Sequence, residues 1–463
     1  MNIQFDETNL LAEMVGKAHG VTRTEVERAQ SKAQRALAGF RKQSEAGLYG
    51  FPHLPFQTKV IRAIGRFAAE VRGSFDTVCV VGIGGSALGA WALDCGFRGP
   101  HPIQGAFTSA HPRLVILDNV DPDFTAAALG SMDPQKTLVV VIAKSGGTAE
   151  TVATFLIVRE WLHQALGATA GRIVAVTTEG KGDLFALAQA EGYKVFGIPE
   201  NVGGRFSVLT PVGLVPAALI GIDIGKLCRG AARMTADCWQ PDLAQNIALR
   251  AALYHWLIWT RKNKPIQVAF PYSNHLWGTA FWFRQLWAES LGKAQNRKGE
   301  RVNAGQTPVA ALGTTDQHSQ VQLYIEGPND KVFTFWAVKR FHSTGQIPDT
   351  HTGLAAFDSL AGQSLAKLID AERRATAAAM VECGRPNCTV TLDRVDEEHL
   401  GAFLQMMEFQ TAFMGELMNI DAFNQEGVEL GKKLTFGLMG RAGYEPYRAQ
   451  FDAYEKKRAA ARV

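Results

Sequence analysis

The sequence predicts an α/β protein of two doubly wound lobes with helical segments at its N- and C-terminal ends. Two observations lead there. From about residue 76, short apolar, β-branched runs alternate with longer helical stretches, and the alternation starts afresh near residue 245. At 463 residues and 46% hydrophobic content the chain can bury a large core, and roughly 150 residues per domain suggests two or three domains.

Residues 1–50 are expected to be a helical segment, because Ala, Leu and charges recur at helical spacing over about 22–48. The first lobe, residues 51–235, holds the runs DTVCVVG, RLVILD, KTLVVVIA, RIVAVTT and YKVFGI. Near-continuous apolar strands of this kind belong to a parallel sheet covered on both faces. The uncharged stretch VLTPVGLVPAALIGI at 208–222 is too short to span a bilayer comfortably, contains Pro211 and Pro216, and reads as a buried helix. The second lobe, residues 236–463, follows a boundary at about 225–245. It offers a Trp-rich helix, the run IQVAF, a helix around 276–292, then PVAAL, VFTFWAV and CTVTL. The Lys-, Arg- and Ala-rich stretch from about 445 reads as a docked or solvated helix to which no chemistry is assigned.

Composition narrows the function. The 48 basic and 44 acidic residues give a net charge of +4 spread along the chain, so nucleic acid is not an expected partner. The start, MNIQFDETNL, carries acids where an export signal would carry a basic and then an apolar segment. Six cysteines without a C-x-x-C pair are expected to be buried reduced thiols in a cytoplasmic protein, with neither a disulfide framework nor a zinc site.

The chemistry is concentrated at turns. In GIGGSALG, Gly82, Gly84 and Gly85 precede Ser86 and a helix, an arrangement that lets backbone N–H groups approach an anion. It matches neither G-x-x-x-x-G-K-[ST] nor, strictly, G-x-G-x-x-G, so a ligand smaller than a nucleotide is indicated, and a plain tight turn is the alternative. In KSGGTAET, Lys144, Ser145 and Thr148 meet two glycines at a strand's C-terminal end, donors suited to one phosphate monoester; helix capping by Ser145 and Thr148 is the other reading. NVGGRFSVLTPVG sets Arg205 at a glycine turn, where it can clamp an oxyanion or bind loop carbonyls. WFRQLWAESLGK places Gln285 and Glu289 on one helical face among aromatic residues, surroundings that suit a general base, although most helix glutamates are simply solvated. His318 in LGTTDQHSQ, and Gln425, Glu429 and Lys432 in NQEGVELGKKL, are ambiguous alone: a cap neighbour in one case, an exposed charged helix in the other.

Taken in order, GIGGSALG, KSGGTAET, NVGGRFSVLTPVG, QLWAE, TTDQHSQ and QEGVELGKKL closely resemble the successive motifs of the phosphoglucose isomerase family, from about residue 80 to 435. The pieces GGRFS and QEGVELGK are the most specific, since other phosphosugar-binding proteins share only the glycine-serine turns. The resemblance implies two sugar-isomerase lobes in a homodimer, acting on a sugar phosphate with no metal or organic cofactor, no membrane and no nucleic acid. It implies that Ser86, Lys144, Ser145 and Thr148 hold the phosphate while Gly85 and Gly204 let the backbone come close. Glu289 would move a proton between C2 and C1 of glucose 6-phosphate through a cis-enediol, with Arg205 stabilising the enediolate. His318 and Lys432 would open the ring, the histidine coming from the neighbouring subunit and paired with Glu150; Gln285 and Gln425 would hydrogen-bond the sugar. The chain departs from the commoner pattern where Ala143 replaces a serine and Gly147 a threonine, which implies weaker phosphate affinity. An isomerase that also accepts mannose 6-phosphate and a non-enzymatic phosphosugar sensor are the alternatives. The presence of Glu289, His318, Arg205 and Lys432 together argues against the sensor, and the missing dinucleotide fingerprint argues against a dehydrogenase.

Overall fold

The computed structural model describes residues 3–99, 111–144 and 146–462. Its first element is one the helical expectation for residues 1–50 does not include: strand β1 (Ile3–Asp6), with Ile3 and Phe5 buried and Gln4 and Asp6 exposed. Four residues of clean alternation are too few to outweigh the helical pattern that follows. That helix, Arg23–Glu45, opens with a capping box in which the Thr22 hydroxyl accepts from the Glu25 N–H and the Glu25 carboxylate accepts from the Thr22 N–H. Its face of Ala29, Ala33, Ala36, Leu37 and Phe40 turns to the core.

The first lobe carries β2 (Thr77–Val81), β3 (Arg113–Leu117), β4 (Thr137–Ile142), β5 (Ile173–Thr177) and β6 (Lys194–Gly197), all parallel in the order β3-β2-β4-β5-β6. β2 and β4 are buried throughout, which is why their sequences run apolar without alternation. The period of two survives in what each side chain meets. Cys79, Val81, Val139 and Val141 pack with Phe155, Val158 and Leu162 of the helix Ala149–Leu166, whereas Val78, Val80, Leu138 and Val140 join the central core.

In the second lobe, β7 (Ile266–Pro271), β10 (Thr307–Ala310), β11 (Lys331–Val338) and β12 (Asn387–Leu392) are parallel, and β1 adds antiparallel at the edge, giving β1-β12-β11-β7-β10. A short hairpin, β8 (Lys293–Gln295) with β9 (Arg301–Ala304), follows the helix Trp277–Leu291. One face of this sheet meets the same central core as the first sheet. The long helix Glu397–Met418, with buried residues on every side, fills that core. It approaches the helix Ile224–Cys238 so closely that a Cβ on Gly230 would lie 1.8 Å from the Glu398 carbonyl oxygen, and one on Gly401 2.0 Å from that of Leu227.

The helix Leu88–Arg98 of the first lobe packs on the helix Trp277–Leu291 of the second, where a Cβ on Gly278 would meet Cys95 Cβ at 2.8 Å. This contact sets the Glu289 helix beside the turn after β2. The stretch around 208–222 contains the buried helix Pro211–Leu219, and the helix Glu445–Ala460 has no buried residue. The expectation of buried thiols needs one correction. Five cysteines are buried, but Cys383 is exposed, because it ends the helix Leu365–Glu382 at the surface. Among the described residues no helix is long and apolar enough to cross a membrane.

Candidate active site

Parallel sheets collect ligands at their strands' C-terminal ends, and the turns after β2, β4 and β5 line one cavity of about 1180 Å³. Gly85, Ser86, Lys144, Thr148, Gly204, Arg205, Gln285, Glu289, Gln425 and Lys432 all face it. Residues from distant parts of the chain thus meet at one place. Ser145 lies outside the described residues. Glu150 and His318 do not line this cavity as the single chain presents it.

The glycine turns are close fits. A Cβ on Gly85 would lie 2.3 Å from the Gly204 carbonyl carbon, so the turn after β2 and the turn before Arg205 touch backbone to backbone. Gly84 has φ +57°, a conformation that favours glycine, and faces the Gln285 amide. Thr148 occupies the N-cap position of the helix Ala149–Leu166 but makes no capping bond, and Thr148 and Thr151 of that first turn both line the cavity. Lys144 is engaged: its Nζ donates to the carbonyls of Glu200 at 2.7 Å and Val202 at 2.9 Å, tying the turn after β4 to the loop that leads into Gly204 and Arg205. Burial draws its pKa below the ordinary lysine value, opposed by the charge of Glu200.

Arg205 is almost fully buried and almost fully used. Its Nε donates to Ser290 Oγ at 2.8 Å, Nη1 to Gln425 Oε1 at 3.1 Å, and Nη2 to the carbonyls of Ala422 at 2.6 Å and Asn424 at 3.0 Å. Burial lowers its pKa, offset by Glu289 and Asp421. A buried charge is tolerable only when paired and hydrogen-bonded in this way. Glu289 completes the arrangement. Oε1 lies 3.5 Å from Arg205 Nη1, and Oε2 accepts from Gln285 Nε2 at 3.0 Å, the bond that spacing of four on one helical face allows. The loop bearing Gln425 is anchored by Phe423, whose ring stacks on Tyr49 and packs against Phe206. Lys432 is half exposed and paired with Glu429 at 2.9 Å.

Several contributors escape a reading of motifs. Thr151, Thr178, Lys181, Gly182 and Glu200 also line the cavity, with Lys181 and Glu200 ion-paired at 2.7 Å. Thr178 and Lys181 follow β5, so the rule that ligands gather at strand ends applies to them as well. Ser290 and Lys293 carry no such signal; their partners lie in chain segments far away. Lys293 Nζ donates to the carbonyls of Glu289 at 2.7 Å and Asn424 at 2.8 Å. Burial, and then the charge of Arg205, pushes its pKa down to about 8, against the opposing charges of Asp421, Glu289 and Glu426.

Known proteins share this architecture. The family model described as phosphoglucose isomerase matches residues 56–455. A glucose-6-phosphate isomerase of Carboxydothermus hydrogenoformans is 42% identical over 97% of this chain and 97% of its own, and one of Rubrobacter xylanophilus is 38% identical over 96% and 99%. Among solved structures, a hypothetical protein from Thermus thermophilus superposes with a TM-score of 0.85 at 35% identity, covering 96% of this chain and 100% of that one. A glucose-6-phosphate isomerase from Chlamydia trachomatis gives 0.75 at 26% identity, covering 86% and 76%. With a family model matched over most of its length and full-length relatives above 30% identity, this chain belongs to the phosphoglucose isomerase family.

Proposed function

We propose that this protein interconverts glucose 6-phosphate and fructose 6-phosphate, a step of glycolysis and gluconeogenesis, by ring opening and proton transfer through a cis-enediol. One observation carries the chemistry: a partly exposed carboxylate, Glu289, shares the cavity with a buried guanidinium 3.5 Å away and faces the glycine turns at Ser86 and Thr148. The turns suit the phosphate, through the hydroxyls of Ser86 and Thr148 and the N–H groups at the helix start. Glu289 then takes the proton from C2 and returns it to C1, while Arg205, fixed by four other hydrogen bonds, meets the charge that grows on the enediolate oxygens without having to reorganise. Gln285 and Gln425 orient the carboxylate and the guanidinium and reach toward the sugar oxygens.

Ring opening needs a separate acid and base. We assign it to Lys432 of one subunit and to His318 of the partner subunit, with Glu150 holding that histidine. The assignment includes a homodimer, supported by the helix Ala149–Leu166, which begins at the phosphate turn and leaves Val152, Leu156 and Ile157 exposed. The division into lobes at about residue 235 and a cytoplasmic setting belong to the same proposal. The test is conversion of fructose 6-phosphate by the purified protein with a chelator present, read through a coupled NADP-dependent dehydrogenase. Saturable binding of the sugar phosphate without conversion would replace the isomerase with a sensor.

A further inference from the structure

The last turn of the helix that carries Glu289 leaves carbonyls without an intrahelical partner, as every helix does. The Glu289 carbonyl is capped by the Nζ of Lys293, which folds back from β8. The same ammonium reaches the Asn424 carbonyl, which also accepts from Arg205 Nη2. Two cations on two different elements therefore converge on a single backbone oxygen, next to the residue, Gln425, that also binds Arg205. Arg205 grips the loop and the Glu289 carboxylate from the cavity side, and Lys293 grips the loop and the Glu289 backbone from behind.

We infer that Lys293 is a positioning residue for the isomerisation: by clamping the Glu289 backbone to the Asn424 carbonyl, it holds the carboxylate and the Arg205–Gln425 pair at their working separation. The inference rests on the assignment of Glu289 as the base. Arg205 reaches this helix only through side chains, the Glu289 carboxylate and the Ser290 hydroxyl, so its hold on the Glu289 main chain is indirect. Lys293 holds that main chain directly, and it needs its charge to do so, because the carbonyl at a helix C-terminus attracts a cation and because both acceptors lie in partly buried surroundings. The charged groups that face it are Arg205 from the glycine turn, Glu289 from the helix, and Asp421 and Glu426 from the loop. With its pKa pushed down to about 8, the ammonium gives up its proton as pH rises through about 8.

The test uses the intact protein and the variants Lys293→Met and Lys293→Arg, each compared with wild type for kcat, KM, thermal midpoint and exchange of the C2 hydrogen with D2O. The wild type comes first, since failure of the wild type to isomerise would remove the function and not the positioning. With an active wild type, we expect Lys293→Met to lose about tenfold or more in kcat and in C2 exchange with KM little changed, as misplacement of a base does. Lys293→Arg should restore most of the rate at pH 7 and move the alkaline limb of kcat to higher pH. Unchanged kcat in Lys293→Met, or a loss confined to KM, overturns the inference. So does failure of Lys293→Arg to recover activity while folding normally. If Lys293→Met does not fold, the pH limb of Lys293→Arg decides: a limb at the wild-type position overturns the inference.

Discussion

The guanidinium of Arg205 and the carboxylate of Glu289 approach to 3.5 Å, yet they differ in access: the arginine side chain is 1% exposed and the glutamate 23%. The pair therefore consists of a fixed charge behind and a reachable carboxylate in front. Glu289→Gln should keep the hydrogen-bonding shape and sugar-phosphate binding while lowering kcat by about 10²–10⁴, the usual weight of a general base. Calorimetric titration with fructose 6-phosphate and the coupled assay together check it; near-normal turnover would remove Glu289 from the mechanism.

Ala143 directly follows β4 in the cavity wall, buried and with no polar side-chain group to offer a ligand. Ala143→Ser should lower KM for the sugar phosphate by a few-fold at unchanged kcat, because a contact remote from the reacting carbons acts alike on ground and transition states. A raised KM would mean that the turn has no room for the added oxygen.

The touching turns at Gly85 and Gly204 respond differently to a methyl group. On Gly85 it would lie 2.3 Å from backbone, whereas on Gly204 the nearest atom, Gly85 Cα, is 3.8 Å away. Gly85→Ala should therefore cost about 1–3 kcal/mol of stability through overpacking and should splay the two turns, with activity falling, while Gly204→Ala should fold as wild type. Chemical denaturation of both variants measures the difference; equal stabilities would contradict the close approach.

His255 is fully buried between the Ala251 carbonyl, 2.8 Å from Nδ1, and the Thr334 hydroxyl, 3.0 Å from Nε2, and Thr334 also accepts from Gln267. Burial lowers its pKa from 6.5 to about 4. The unfolded chain binds this proton more readily than the folded one, so the stability contribution is complete above pH 6.5 and is lost as pH falls toward 4, about 3 kcal/mol in all. Thermal midpoints recorded from pH 7 to pH 4 should fall less steeply for His255→Gln than for wild type. Parallel slopes would show that another group drives the acid loss.

What the sequence made legible, and what it did not, follows from where each signal resides. The strands of the first lobe could be read because burial on both faces leaves uninterrupted valine-rich runs, and the glycine turns that line the cavity because glycine and hydroxyl residues cluster locally. Glu289 and Gln285 were legible as a pair because one helical turn relates them. Ser290 and Lys293 were not, since each is defined by a partner that only the tertiary fold delivers: Arg205 in one case, Asn424 in the other. The main-chain engagement of Lys144 was hidden for the same reason, its position in a glycine turn suggesting the ligand rather than the loop. Strand β1 was invisible because its partner, β12, lies near the other end of the chain.

That pairing bears on how the protein is made. Ile3 sits opposite Leu392, so β1 leaves the ribosome long before the strand it pairs with. The first sheet, complete by Gly197, can assemble while synthesis continues, but the second cannot close its edge until β12 has emerged. During that interval the N-terminal strand is an unpaired edge-former, the kind of segment that invites association with other chains, and its four-residue length with Gln4 and Asp6 facing outward limits that hazard.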